Sequence, residues 1–214
     1  MTRAVTGDPI ELVGVIRGYD DTGNFDTKTI SGNLSIEAGD LAVFLFASYY
    51  TNRNATVSDD FIELVDQADS SFSSYCFVKT LVGDETAISV TDVSSFAATT
   101  YLIAVFRNAA LPVVGDIVTS DGSTGMPDCA ESTAGSSTDW ILAAGFIREN
   151  VQSIDSAPTN YTFREERGWT VSTFASTTML ATRTGVAGTD NPSAFVKSGA
   201  SDPWHAHTLR IKRG

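Results

Sequence analysis

The chain is short of lysine, cysteine, histidine and proline, and it has no long apolar run. Lys occurs 4 times among 14 basic residues, against 26 acidic ones, giving a net charge of -12 over 214 residues. Phosphate contacts need clustered Lys and Arg, so nucleic acid is excluded as a partner. The longest apolar stretches, 41–47 and 140–147, fall far below the roughly 20 residues of a membrane helix, and no membrane span is expected. The segment from Met1 to Asp8 has no apolar core behind its positive charge and is not read as a signal peptide. Two cysteines, Cys76 and Cys129, are too few for a disulfide framework. Both read as free thiols that fill space, which fits synthesis in a reducing cytoplasm.

What is abundant points to strands. Ser and Thr together make 49 of the 214 residues. Short runs rich in β-branched and aromatic residues alternate with period two and are separated by Gly, Asp, Asn and Ser. The pattern predicts strands at 10–17, 28–36, 41–50, 61–66, 72–81, 87–91 and 99–107, then at 140–150, 161–164, 169–174, 178–183, 193–197 and 204–212. The segment 96–110 is the nearest approach to a helix, but Thr99, Thr100 and Val105 favour a buried strand. Two strands are apolar on both faces. Leu41, Val43 and Leu45 oppose Phe44 and Phe46, and Tyr101, Ile103 and Val105 oppose Leu102 and Phe106. The expected fold is an all-β antiparallel sandwich, jelly-roll-like or built from two similar halves, with an N-terminal arm and first strand in 1–30 and the sandwich in 31–214.

Segments 31–110 and 136–214 echo one another. Each opens on a strand after a turn (Asp40-Leu41, Asp139-Trp140), has a middle strand ending in a basic residue or close to one, and closes on an apolar strand that ends in one (Arg107, Lys212). This reads as a pseudo-repeat whose halves pair as two sheets. The low-complexity segment 116–138 between them serves either as a linker or as two hairpin ends. The acidity is uneven: residues 1–110 hold 15 acids and 6 bases, residues 111–214 hold 11 and 8.

Few constellations carry chemistry. His205 and His207 are two apart, so in a strand both rings share a face and could reach one metal. That face continues through Leu209 and Ile211, which favours a packed or hydrogen-bonded pair over a zinc site. Asp20, Asp21 and Asp26 gather around Gly23 with Asn24, as calcium ligands do, but the spacing misses the EF-hand and suits an ordinary turn. No cofactor and no bound metal are expected. Glu165 and Glu166 are adjacent, point to opposite faces of a strand, and read as surface partners of Arg164 and Arg167. No Gly-x-Ser-x-Gly elbow, P-loop or dinucleotide fingerprint occurs, and no enzymatic activity is predicted. Exposed aromatics suit sugar stacking, with Tyr49, Tyr50, Tyr161, Trp169 and Trp204 the candidates.

The order of strand motifs carries a resemblance. Gly39-Asp40-Leu41 opens a strand, followed by Tyr75-Cys76-Phe77-Val78-Lys79-Thr80, a turn at Gly83-Asp84-Glu85-Thr86, and an apolar strand closing on Val105-Phe106-Arg107-Asn108-Ala109. Then come Trp140-Ile141-Leu142-Ala143, Thr182-Arg183-Thr184, and a last strand with Trp204, Ala206, Thr208, Leu209, Ile211 and Lys212. Over roughly 30–214 this resembles small β-sandwich structural proteins of tailed-phage virions. The resemblance implies a non-enzymatic particle component, a capsid decoration or tail or fibre protein, made in the host cytoplasm and located in the virion. It implies self-association, with a trimer expected, and contact with other virion proteins. The alternative is a carbohydrate-binding or host-surface adhesin domain that meets a surface glycan.

Overall fold

The computed structural model describes residues 7–20, 27–28, 34–49, 56–57, 60–70, 72–83, 85–91, 98–150, 153–171, 174–197 and 202–214. Its strands are β1 (Glu11–Asp20), β2 (Thr27–Lys28), β3 (Leu41–Ser48), β4 (Thr56–Val57), β5 (Ile62–Ala68), β6 (Ser73–Thr80), β7 (Ile88–Thr91), β8 (Thr99–Arg107), β9 (Ile117–Gly122), β10 (Trp140–Ile147), β11 (Thr162–Val171), β12 (Phe174–Thr184) and β13 (Trp204–Ile211). A 3-10 turn, Val114–Asp116, precedes β9. One sheet runs β1-β8-β3-β6-β5, a second β11-β12-β10-β13-β9, and a small third sheet β2-β7-β4. All pairings are antiparallel.

The two large sheets are each built from one half of the chain, so two similar halves is the arrangement adopted. Lettering the strands of each sheet a to e in chain order, both read a-e-b-d-c. The register repeats as well. Strand b meets strand d at Leu41↔Thr80 in the first half and at Trp140↔Thr184 in the second. Strand c carries a bulge at the same place, between Glu63 and Val65 opposite Phe77 and Cys76, and between Phe163 and Glu165 opposite Ala181 and Leu180. The turn into strand b also recurs. Asp40 and Asp139 each accept the N–H of the residue three before, Glu37 at 2.9 Å and Ser136 at 3.0 Å, and each returns its own N–H to that residue's carbonyl at 3.1 Å. An aspartate suits this turn because its short carboxylate satisfies a backbone donor that no ladder reaches.

The sheets stack with β1 across β11 and β8 across β12. On the other flank Gln67 of β5 donates to the Ser120 carbonyl of β9 at 3.3 Å. Strand a of each half therefore lies over strand c of the other, the reciprocal contact of a two-fold interface, here made within one chain.

Packing follows the alternation of the strands. Leu41, Val43, Leu45, Leu102, Ala104 and Phe106 of the first sheet meet Leu142, Ala144, Phe146, Leu180, Leu209 and Ile211 of the second. Each fully buried Leu or Phe here stabilises the fold by about 1.5–3 kcal/mol. The outward faces are buried too. Phe44, Phe46, Tyr75, Phe77 and Tyr101 pack under Leu34, Ile36, Val57 and Phe61, and Ala143, Met179 and Trp204 pack under Cys129 and Phe195. Both central strands are thus apolar on two faces because each sheet is a middle layer.

Several strand boundaries differ from the sequence expectation. β9 lies inside the segment read as linker or hairpin ends; its Ile-Val-Thr-Ser-Asp-Gly run is a polar edge strand with little apolar face. β11 joins two predicted strands across Glu165–Gly168, where charged side chains line an edge. Residues 193–197 form no strand beyond one bridge at Val196; Phe195, 1 % exposed, covers the second sheet instead. In 28–36 only Lys28 lies in a strand among the described residues.

Candidate functional site

The two histidines project inward from β13 between the sheets, on the face of Leu209 and Ile211. Ser74 of β6 stands opposite them, its Oγ 2.9 Å from His205 Nδ1 and 3.1 Å from His207 Nε2. Gln67 Oε1 lies 3.2 Å from His207 Nε2, and Asp69 Oδ2 lies 3.7 Å from His205 Nε2. One proton arrangement satisfies these contacts. His207 Nε2–H donates towards Gln67 and Ser74, the Ser74 hydroxyl donates to His205 Nδ1, and His205 Nε2–H faces the Asp69 carboxylate. His207 Nδ1 is then a bare acceptor, and it is buried without a partner. Burial pushes the His207 ring down to about 3, with His205 adding to the effect. Burial also lowers His205, while Asp69 and Asp121 pull it back up.

The Ser74–His205–Asp69 order has the components of a nucleophile, a base and an orienting carboxylate. Access decides against that use: Ser74 is 0 % exposed and His205 1 %. No acyl group reaches the hydroxyl, and the neutral network ties β5, β6 and β13 together. A second polar knot lies at the same end of the core, where Thr100 Oγ1 meets Ser176 Oγ at 3.2 Å and Thr178 Oγ1 at 3.0 Å. The inter-sheet core is therefore apolar at one end and hydrogen-bonded at the other.

Of the sugar-stacking candidates, Tyr50 lies outside the described residues. Trp169 faces inward from β11 and stacks on Tyr19 of β1, with centroids 3.6 Å apart. The Arg167 guanidinium lies 4.4 Å from the Tyr19 ring and 5.5 Å from that of Trp169. This pair seals the flank where β1 crosses β11, and the indole face is already occupied. Tyr49 packs edge-on against Phe174 at 4.8 Å, with Arg148 5.4 Å from its ring. Asp21 and Asp26 lie outside the described residues, and Asp20 is described only as the last residue of β1. Among the described residues no group of three or more His, Cys, Asp and Glu is placed to hold a metal ion, and no helix is long and apolar enough to cross a membrane.

The expected pairing of Glu165 and Glu166 with Arg164 and Arg167 is not what forms. Glu165 takes Arg17 of β1 at 2.8 Å, across the sheets, and Glu166 accepts the Ile154 N–H at 3.0 Å. The bulge at Arg164 re-aims the flanking side chains. Arg164 Nε donates to Thr182 Oγ1 at 2.6 Å, and its guanidinium lies 5.7 Å from the Trp140 ring.

Arg164 and Trp140 border an open cleft of about 990 Å³ at the end of the sandwich where β1, β3 and β10 begin. Arg107, also in the cleft wall, is saturated: it holds Asp40 through two bonds at 3.1 and 3.0 Å, Glu37 at 3.0 Å and the Ser35 carbonyl at 2.8 Å. Sequence alone did not single out Arg164. The available signal was a lone arginine at a repeat position that holds Leu64 in the first half.

Cys76 and Cys129 are free and buried. Burial raises Cys76 far above the thiol range and pushes Cys129 up to about 12. A thiol-disulfide reagent at pH 8 should label neither in the native chain and both after denaturation, because the thiolate is the reactive form. Rapid native labelling in a colorimetric thiol assay would contradict this burial.

No protein-family model, curated protein or solved structure matches the chain.

Proposed function

We propose that the chain is a non-enzymatic structural component of a tailed-phage particle, a capsid decoration or tail or fibre protein that acts by assembly. The observation that carries this reading is the repeated sandwich itself, with a continuous core between its two sheets and with Ser74 and His205 buried in that core. Three of the four edge strands of the large sheets, β1, β5 and β11, carry bulges. Bulged edges resist open-ended sheet pairing, so association through loops and ends into a closed homo-oligomer is the favoured mode. Weak contacts suffice when many copies are displayed together.

Light scattering on the purified chain tests this. The expected mass is about three times the 22.7 kDa of one chain, unchanged by chelator. A monomer at all concentrations would remove self-assembly from the proposal, and absence of the chain from purified virions by immunogold labelling would remove the particle role. The alternative, a carbohydrate-binding or host-surface adhesin domain, is favoured by one observation only, the open cleft beside Arg164.

A further inference from the structure

Arg164 is a half-buried cation with no counter-charge among the described residues. Its Nε is fixed by Thr182 and its plane is held near Trp140. Among the described residues its two terminal nitrogens have no partner, and no carboxylate forms an ion pair with it. The neighbouring Arg107 shows the contrast, since Asp40 and Glu37 neutralise it. Desolvating a guanidinium without pairing it costs stability unless something else is gained. The internal repeat sharpens the point. The same bulge position in the first half holds Leu64, 6 % exposed and packed in the core. An apolar residue therefore suffices for the fold at this bulge, and the second half has an arginine there that borders a cleft.

We propose that this cleft is a binding site for an acidic sugar, whose carboxylate meets the free edge of the Arg164 guanidinium. The fork of an arginine matches a carboxylate in two parallel bonds. The Nε contact to Thr182 and the indole restrict its rotation beforehand, which lowers the ordering cost of binding. Around it the cleft supplies what hydroxyls need: Glu11 and Glu37 as acceptors, and the Trp140 edge as apolar wall. Its volume of about 990 Å³ exceeds one sugar ring and suits a short oligosaccharide. The field of an acidic chain opposes an anion at long range. Salt screens the charges beyond about 8 Å; within the cleft Asp8, Glu11, Glu37 and Asp40 stand against Arg107 and Arg164, Arg107 neutralises Asp40 and Glu37, and the ligand carboxylate has to be held by the Arg164 fork itself. This site deepens the adhesin reading and rests on it; it does not depend on self-assembly.

The test is a titration with glucuronate, glucose and N-acetylglutamate, followed by the intrinsic fluorescence of Trp140 and by calorimetry, at 0.15 M salt. The expected result is saturable binding of glucuronate that is at least about tenfold tighter than that of glucose. R164M should abolish the preference, and R164K should weaken it because an ammonium lacks the fork. Thermal unfolding of R164M checks that the variant is folded, and W140F supplies a second variant with the arginine intact. Equal binding of glucose and glucuronate, unaffected by R164M, would overturn the carboxylate role while leaving a sugar site. N-acetylglutamate binding as tightly as glucuronate would overturn the sugar assignment in favour of an acidic peptide. No binding of any of the three would overturn the acidic-sugar site, while the adhesin reading behind it falls only if the chain also fails to bind host-surface glycans.

Discussion

Replacing Arg210 by alanine should destabilise the protein by about 3–5 kcal/mol, the cost of breaking a buried charged pair. For a chain of this size that lowers the unfolding midpoint by on the order of 10 °C. Arg210 points outward from β13 yet is 0 % exposed. Its Nε donates to the Thr133 carbonyl at 2.7 Å, Nη1 to Val186 at 3.2 Å, and Nη2 to Gly188 at 2.8 Å and to Ser132 Oγ at 3.0 Å. Asp139, the turn aspartate before β10, lies 3.6 Å from Nη1. One side chain thus satisfies acceptors on two loops that also meet through Gly135 and Gly188 and through Ser132 and Asp190. Without it, the buried Asp139 carboxylate loses its cation and three carbonyls lose donors. The space around the guanidinium also dictates its neighbour. A Cβ on Gly135 would sit 2.1 Å from Nη1, so only glycine fits there.

Variants separate charge from packing at this position. R210M keeps most of the stem and should lose nearly as much as R210A, whereas R210K keeps the charge and should fall between R210M and the wild type. Denaturant unfolding gives the three values. If R210M matches the wild type, the stem and not the guanidinium holds the loops. A cost below about 1 kcal/mol for R210A would show that water replaces the lost bonds.

The legible parts of the fold are those where one physical rule acts alone. Leu41–Ser48 and Thr99–Arg107 read as doubly apolar strands because both faces are buried, and their face assignments hold residue by residue. The repeat was visible in the turn before strand b and the basic end of strand e. β1 and β9 extend it, and β9 escaped notice because an edge strand needs hydrogen bonds on one side only and tolerates Thr, Ser and Asp. β11 read as two strands because Glu165, Glu166 and Arg167 interrupt its apolar pattern. The partners of Glu165 and Arg167, Arg17 and Tyr19, are nearly 150 residues distant in sequence, and no local periodicity reports them.

The site was less legible for the same reason. The face shared by His205 and His207 follows from spacing, but Ser74, Gln67 and Asp69 enter only through the stacking of β5 and β6 over β13. A serine in the apolar run of β6 was the one available hint. Trp169 could be read as exposed because its strand is polar. Its burial comes from Tyr19, on the other half of the chain.

Acid should expose the histidine pair as a thermodynamic feature. Below pH 6.5 the protein should lose stability at up to about 1.4 kcal/mol per pH unit for each imidazole kept neutral by the fold. An unfolded histidine takes a proton near 6.5, whereas folded His207 resists until about 3, and His205 is lowered in the same direction. The unfolded state therefore binds more protons throughout this window. The stability is fully present above the unfolded value and is lost as pH falls towards the folded one. Glu63, Asp66 and Glu166 work the other way, since burial raises all three and the folded state protonates first. Their opposition grows as pH falls towards the carboxylate range, so the histidine loss is read in the interval just below about 6.5. H207Q places an amide donor near the Nε2 position and removes one titration. Denaturant unfolding at stepped pH should give a shallower slope than that of the wild type in this interval. A flat wild-type profile, or a slope that H207Q leaves unchanged, would mean that the rings protonate in the folded core, and the neutral Ser74 network would then be wrong.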